Sequence, residues 1–331
     1  LKTIFGETPL TSGKRLNRSS RRTEEEKNAE PPESRKDKNR DKDVLVIDCM
    51  NLVSATVFAM PEMNTERDET GVIYGFLRQI RSLADRFKTS RFVFCWDSRD
   101  NYRKKVNPEY KANRRKNLTE EEASFWQRAF DQAKILRTEV LYDLGFENVY
   151  YQIGYEADDL IAHVVQRFPD NYVIVSSDND LWQLLEKTYL YETRCYSIRN
   201  SKMMTKDTFF KAFGIEPRKW AMVKAIAGCS SDNVKGVERV GEVLALRYIL
   251  KQLDVTGKVY QKIRAHEDLI NRNLNLVALP FAHKHEIRIR EFPVFPPLMV
   301  ENFEKVFDRF EFKSLKNHFD KWSNAFELVP F

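Results

Sequence analysis

No apolar run in the 331-residue chain approaches the roughly 20 residues needed to cross a bilayer, and no apolar block of the secretory type stands near its start. A soluble, intracellular protein with no membrane partner is the expectation. Cysteine is scarce: Cys49, Cys95, Cys195 and Cys229 lie far apart, with no CxxC pair and no histidine at zinc-site spacing. That excludes a disulfide framework and a zinc module, and leaves reduced, mostly buried thiols. Histidine is scarce too, five in all, none inside the acidic motifs described below.

Charge is not lacking, and its distribution is uneven. The formal net charge is +6, of which residues 1–42 hold 12 basic and 8 acidic side chains. This stretch is rich in Ser, Arg, Lys, Glu, Asn and Pro and has Phe5 as its lone aromatic, the composition of a disordered basic tail. Its first 23 residues carry one acid, Glu7, so an organellar transit sequence is a second reading. The body that follows is close to neutral, with 42% hydrophobic residues in the whole chain, enough for one large or two modest cores.

From Asp43 short apolar runs alternate with stretches of helical spacing, such as Val72, Phe76, Leu77, Ile80, Leu83, Ala84 and Phe87. This alternation predicts an α/β domain over 43–204 with a mostly parallel sheet flanked by helices. A helix from about Thr119 to Leu144 opens on Thr-Glu-Glu-Glu, an N-cap followed by acids that suit the helix dipole. Beyond Thr205 no strand is evident. Helices over 206–213 and 217–227, a glycine-punctuated turn and a helix from Glu242 predict a smaller helical domain over 205–331, with residues 256–331 extending it or returning to the first domain.

Four predicted strands end in acids: Asp48 after DVLVI, Asp97 after RFVFCW, Glu156, Asp158 and Asp159 after NVYYQIGY, and Asp178 and Asp180 after YVIVSS. In an open parallel sheet these ends line one crevice. Single acids there are usually caps or turn residues, and first-turn acids gain roughly 0.3 to 1 kcal/mol each from the helix dipole. Four coincidences at one sheet edge go beyond capping. Crowded carboxylates raise one another's pKa, and hard divalent cations such as magnesium or manganese relieve them. Paired ions on carboxylates suit phosphodiester chemistry.

Beside this crevice the segment SRDNYRKKVNPEYKANRRKN sets Arg99, Arg103, Lys104, Lys105, Lys111, Arg114, Arg115 and Lys116 around Tyr102 and Tyr110. Cations meet phosphates and aromatic faces stack on unpaired bases, so the segment suits a frayed or single-stranded nucleic-acid end. The plainer reading is a solvated loop; the acids next to it favour nucleic acid. Further on, GCSSDNVKGVERVG offers backbone N–H groups for a phosphate or a monovalent cation, and Asp232 adds a carboxylate.

Over about Asp43 to Leu279 the chain resembles the bacteriophage 5′ to 3′ exonucleases, which share a PIN-like fold with flap endonucleases and with the 5′-nuclease domain of bacterial DNA polymerase I. DVLVIDCMN, FVFCWD, PEYKANR, YEADDLIA, SSDNDLWQLL, SDNVKGVERVG and RNLNLVALP carry the resemblance in order. It implies a helical arch, a helix-three-turn-helix that holds duplex DNA, and a monomer in the cytoplasm of a bacterial or phage-infected cell. By resemblance, Asp48, Asp97, Glu156 and Asp158 serve a first metal site, and Asp159, Asp178, Asp180 and Asp232 serve or adjoin a second. Lys111 would stabilise charge on the phosphate and leaving group, and Arg103 would orient the phosphate during in-line attack by water. Tyr110, Lys111, Arg114, Arg115, Lys235, Gly236 and Gly241 would contact nucleic acid, with potassium a candidate at the helix-three-turn-helix.

The implied activity is structure-specific 5′ nuclease action on DNA 5′ ends or flaps, in replication or repair, with RNA primers and RNA–DNA hybrids among candidate substrates. Three features depart from the family pattern. Cys229 stands where a carboxylate is usual, and a thiol is a poor magnesium ligand. Arg239 replaces the first glycine of the usual Gly-x-Gly-x-Lys, and Val243 replaces its lysine. The tail and the segment after Leu279 have no counterpart. A binding protein that grips branched DNA with little or no cutting is the second reading, and a ribonuclease of a related small fold the third.

Overall fold

The apolar run Val44–Asp48 forms β1, whose residues alternate between two cores: Leu45 and Ile47 face one, Val44 and Val46 the other. This period of two is what a strand buried on both faces demands. The computed structural model describes residues 42–57, 69–114, 118–290 and 293–330. The tail read at 1–42 therefore lies outside the described residues except for Lys42.

After β1 come α1 (Cys49–Thr56), α2 (Gly71–Phe87), β2 (Phe92–Trp96), α3 (Tyr102–Val106) and α4 (Glu120–Ile135). Thr119 and Glu122 form a reciprocal capping box at the start of α4. A π-helical turn over Leu136–Val140 links α4 to α5 (Leu141–Asp143). Next are β3 (Val149–Tyr151), α6 (Ala157–Arg167), β4 (Tyr172–Val175), β5 (Glu186–Lys187), β6 (Glu192–Ser197) and β7 (Lys202–Met204).

The sheet runs β3-β2-β1-β4-β6-β5, with β7 also paired to β6. The pairs from β3 through β6 are parallel; β5 and β7 are antiparallel to β6. Strand order reverses at β1, the position where ligand crevices form beyond the carboxyl ends of the strands. The sequence reading had four of these strands and missed β5, β6 and β7. In β6, Glu192-Thr-Arg-Cys-Tyr-Ser, polar and apolar residues mix, which hides a strand whose outer face is half solvated.

The chain then forms α7 (Lys206–Phe213), α8 (Trp220–Ala227), the two-residue strands β8 (Gly228–Cys229) and β9 (Val234–Lys235), α9 (Glu242–Ile249), α10 (Lys258–Arg264) and α11 (Glu267–Val277). These close the second sheet face, where Trp220, Val223, Ile226, Ala245, Ile270 and Leu276 join Val46, Val93 and Ile174. Paired β8 and β9 correct the expectation of no strand beyond Thr205. Finally α12 (Val300–Arg309), α13 (Lys313–Lys316) and α14 (Phe319–Phe326) return to the first face. Phe326 packs on Phe92 with ring centroids 5.8 Å apart, and the Arg81 guanidinium lies 5.8 Å from the Trp322 ring.

Candidate active site

Asp48 ends β1 and caps α1, accepting the Asn51 N–H at 3.0 Å and the Ser176 hydroxyl at 2.8 Å. Asp97 follows β2 and accepts the Ala157 N–H at 2.9 Å, which ties the end of β2 to the start of α6. Asp158 lies in the first turn of α6, and Asp178 caps a 3-10 turn after β4 by accepting the Asp180 N–H at 2.8 Å. Each of these four carboxyls is pushed above its usual range. For Asp48 the rise is to about 7, from burial first and then Asp97, against the pull of its two hydrogen bonds. Asp97 is raised by its protein surroundings and by Glu156, Asp158 by burial and by Asp48 and Asp178, and Asp178 by burial and by Asp180. Among the described residues none of the four makes an ion pair, although Lys111 draws Asp97, Asp158 and Asp178 down from farther off.

The other acids differ because each has a counter-charge. Burial alone would raise Glu156, but Lys111 and Arg103 bring it below the usual range. Its Oε1 takes the Lys111 ammonium; its Oε2 accepts from the Tyr110 hydroxyl at 2.8 Å and from Arg103 at 3.2 Å. Asp232 meets the Arg114 guanidinium at 2.8 Å, with Lys111 Nζ 3.8 Å away. Asp180 Oδ1 lies 3.0 Å from Lys224 Nζ, a contact without hydrogen-bond geometry, and Lys224 also meets Asn179 at 2.9 Å and Glu242 at 3.0 Å. Lys224 escaped the sequence reading. Its signal was a lone charge inside the apolar stretch WAMVKAIAG, where only a fixed partner makes burial tolerable.

Three sequence-based expectations change. Asp159 is fully buried and turned from the crevice: Arg103 grips both of its oxygens at 2.6 and 2.7 Å, and it accepts the N–H groups of Glu156 and Phe281 at 3.0 and 2.8 Å. Arg103 also donates its Nε–H to the Leu276 carbonyl at 2.8 Å, so it braces α6 and α11, and at 2% exposure it has no face for a phosphate. Tyr110 is buried with its hydroxyl between Glu156 and Asp232, so its ring is closed to bases. Arg115 lies outside the described residues.

The arch segment docks on the turn after β8. Lys111 donates its backbone N–H to the Asp232 carbonyl at 2.8 Å, Asn113 reaches the Ser230 carbonyl at 3.0 Å, and Arg114 reaches the Ser231 carbonyl at 3.2 Å. Burial holds Cys229 up to about 11, and its thiol sits 3.7 Å from Asp180 and 3.0 Å from the Ser231 hydroxyl. One donor atom each from Asp180, Cys229 and Asp232 lie within 4.8 Å of one another, close enough for one ion.

In the helix-three-turn-helix region Gly236 is forced: a Cβ there would lie 2.1 Å from the Ala227 carbonyl carbon. Lys235 is exposed, and Gly241 starts α9 with open space around it. Arg239 adopts φ +62°, a left-handed conformation that favours glycine, and its side chain is exposed. Val243 is also exposed.

Fold and crevice together define an α/β protein of the PIN-like type with acids gathered at its strand ends. The family model for the 5′-3′ exonuclease N-terminal resolvase-like domain matches residues 43–214. The chain belongs to the 5′-3′ exonuclease family. The 5′-3′ exonuclease of Bacillus subtilis is 31% identical over 253 residues, covering 74% of this chain and 77% of the relative. That of Aquifex aeolicus is 28% identical over 295 residues, covering 85% and 96%. DNA polymerase I of Streptococcus pneumoniae is 28% identical over 297 residues; 83% of this chain matches 32% of the polymerase. Among solved structures, the bacteriophage T5 5′-exonuclease with bound zinc superposes with a TM-score of 0.61 at 24% identity, covering 72% of this chain and 90% of that one. The flap endonuclease-1 of Methanococcus jannaschii gives 0.54 at 13% identity, covering 86% and 93%. These two likenesses are of fold.

Proposed function

We propose that the chain is a structure-specific 5′ nuclease that hydrolyses DNA phosphodiesters at 5′ ends and 5′ flaps with two divalent cations, magnesium or manganese. The observation that carries this reading is the set of Asp48, Asp97, Asp158 and Asp178, four carboxyls held above their usual range by burial and by neighbouring acids and, among the described residues, in no ion pair. Its oxygen donors fit hard divalent ions. Asp180 and Asp232, with Cys229 between them, are the further donors. Bound there, such ions make water a nucleophile at neutral pH and neutralise charge on the phosphate.

The chain's own residues do the rest. Lys111, held at the crevice through Glu156, supplies a fixed ammonium for a phosphate oxygen, and half-exposed Arg114 supplies a second charge at the arch. Arg103 and Asp159 hold α6 in register, so that Asp158 faces the crevice. Lys235, Gly236 and Gly241 are kept as the duplex contact, with Arg115 in the arch and potassium as the monovalent ion at the turn. A monomer, the division at 204/205 into nuclease and duplex-gripping parts, and action on RNA–DNA hybrids belong to the same reading.

Cys229 favours one alternative. A thiol bonded toward Asp180, with Lys224 already neutralising that acid, weakens the second set of donors for magnesium and suits a protein that binds branched DNA and cuts little. Cleavage of a 5′-labelled flap duplex in magnesium, manganese or chelator separates the two. Metal-dependent release of short 5′ products, lost in Asp178→Asn while binding persists, is the expected result. Tight binding without cleavage in any metal would overturn the nuclease reading.

A further inference from the structure

The segment Phe281–Arg290, which no family motif explains, leaves α11 and is fastened across α3 and the edge of β3. Phe281 donates its N–H to Asp159 at 2.8 Å, the Tyr155 hydroxyl donates to the His285 carbonyl, and Gln152 binds the Glu286 carbonyl at 2.8 Å and the Arg288 N–H at 2.6 Å. Fastened in this way, the segment lays two imidazoles on one tyrosine. The His283 ring stacks on Tyr102 at 3.9 Å and 8°, the His285 ring lies 5.4 Å from Tyr102 at 24°, and the two imidazoles are 5.1 Å apart at 32°.

The platform is fixed from below. Tyr102 presses on Gly154, whose φ is +95° and where a Cβ would lie 2.1 Å from the ring, and Tyr155 meets it edge-on at 5.3 Å. His285 is exposed, and Tyr102 and His283 are half-buried. Beside the rings stand Lys105 and Lys284, both exposed and, among the described residues, neither in an ion pair, with exposed Lys104 and Arg288 on the same two segments; Lys105 Nζ lies 5.1 Å from the Tyr102 ring centre, and Lys105 and Lys284 both act on His283. Glu286 is the one acid between residues 281 and 290.

We propose that this platform binds an unpaired nucleic-acid strand extending from the substrate, bases stacking on the His285 and His283 rings and phosphates meeting Lys105 and Lys284; the inference rests on the nuclease reading above. Near-parallel rings beside two lysines that make no ion pair among the described residues match alternating bases and phosphates. An acidic peptide would use the charges and leave the stacked faces without a purpose. Beneath the platform, Arg103, next to Tyr102, lies 3.2 Å from Glu156, next to Tyr155, so one buried ion pair backs both the platform residues and the crevice.

The test uses the full chain in chelator, with fluorescein-labelled oligo(dT) and flap duplexes carrying a 5′ arm, a 3′ arm or none. His283→Ala/His285→Ala should weaken oligo(dT) and one class of armed duplex about tenfold, leave the armless nicked duplex unchanged, and show which arm is held. His283→Phe/His285→Phe, which keeps the flat faces, should restore affinity. Equal weakening on the armless duplex, or no weakening on any probe, would overturn the proposal. Failure of the wild type to cut the flap duplex in magnesium or manganese would instead remove the nuclease reading, so the two failures are distinct.

Discussion

Asp48→Asn separates the stability cost of the acidic crevice from its use. The folded chain moves the Asp48 carboxyl from 3.8 to about 7, chiefly by burial and next by Asp97. Taken whole, that change caps the penalty of ionising Asp48 at about 4 kcal/mol. The sign follows from proton counting. Between the two values the folded state holds the proton and the unfolded state has lost it, so stability is fully present below pH 3.8 and is lost as pH rises through 7. Asparagine has the same shape, still accepts the Asn51 N–H, and has nothing to ionise.

Urea unfolding in chelator, followed by circular dichroism at two pH values, is the assay. At pH 8 the variant should be more stable than the wild type by an amount approaching the cap, and at pH 5 the gap should shrink to roughly a third of it. Magnesium should then reverse the order, stabilising the wild type more than the variant, because a bound ion removes the repulsion that asparagine has already removed. A gap of the same size at both pH values, or a variant less stable at pH 8, would refute the reasoning. It would mean that Asp48 is held ionised by something other than an incoming cation.

Two further substitutions test the neighbouring assignments. Cys229→Asp puts a hard oxygen beside Asp180 and Asp232 and should tighten magnesium binding by calorimetry and raise magnesium-supported turnover; no change in either would mean that the three donors do not share an ion. Arg103→Met leaves Asp159 buried and uncompensated and should cost roughly 3 to 5 kcal/mol in denaturant unfolding, whereas wild-type stability would show that Arg103 is not the brace described here.

Much of this was legible because strand ends are strongly patterned. Val44–Ile47, Phe92–Trp96 and Tyr172–Val175 are continuous apolar runs that close on an acid or a short polar turn, and the reversal at β1 then brings their ends together. Thr119 with Glu122 was likewise visible, since a capping box is a local device. What stayed hidden depends on distant partners. The return of α12–α14 to the α2 face is decided by aromatic packing such as Phe326 on Phe92, and no local spacing encodes which face an amphipathic helix will cover. Lys224 is intelligible only once Asp180 and Glu242 are seen around it.

The pair Asp158 and Asp159 shows why a motif can be right about chemistry and still wrong about a residue. Neighbours in a helix point about 100° apart, so two consecutive acids at the start of α6 cannot both face the crevice. Asp158 faces the carboxylate cluster and is raised by Asp48 and Asp178. Asp159 faces inward, and its burial is tolerable because Arg103 is already there, held in turn by the Leu276 carbonyl. The same logic divides the whole set: Glu156, Asp159, Asp180 and Asp232 each meet a lysine or arginine of the chain, while Asp48, Asp97, Asp158 and Asp178 make no ion pair among the described residues and are raised by burial and neighbouring acids. The second group has the most charge left for an ion to neutralise, while Asp180 and Asp232, already met by Lys224 and Arg114, can add donor oxygens beside Cys229 but bring less uncompensated charge.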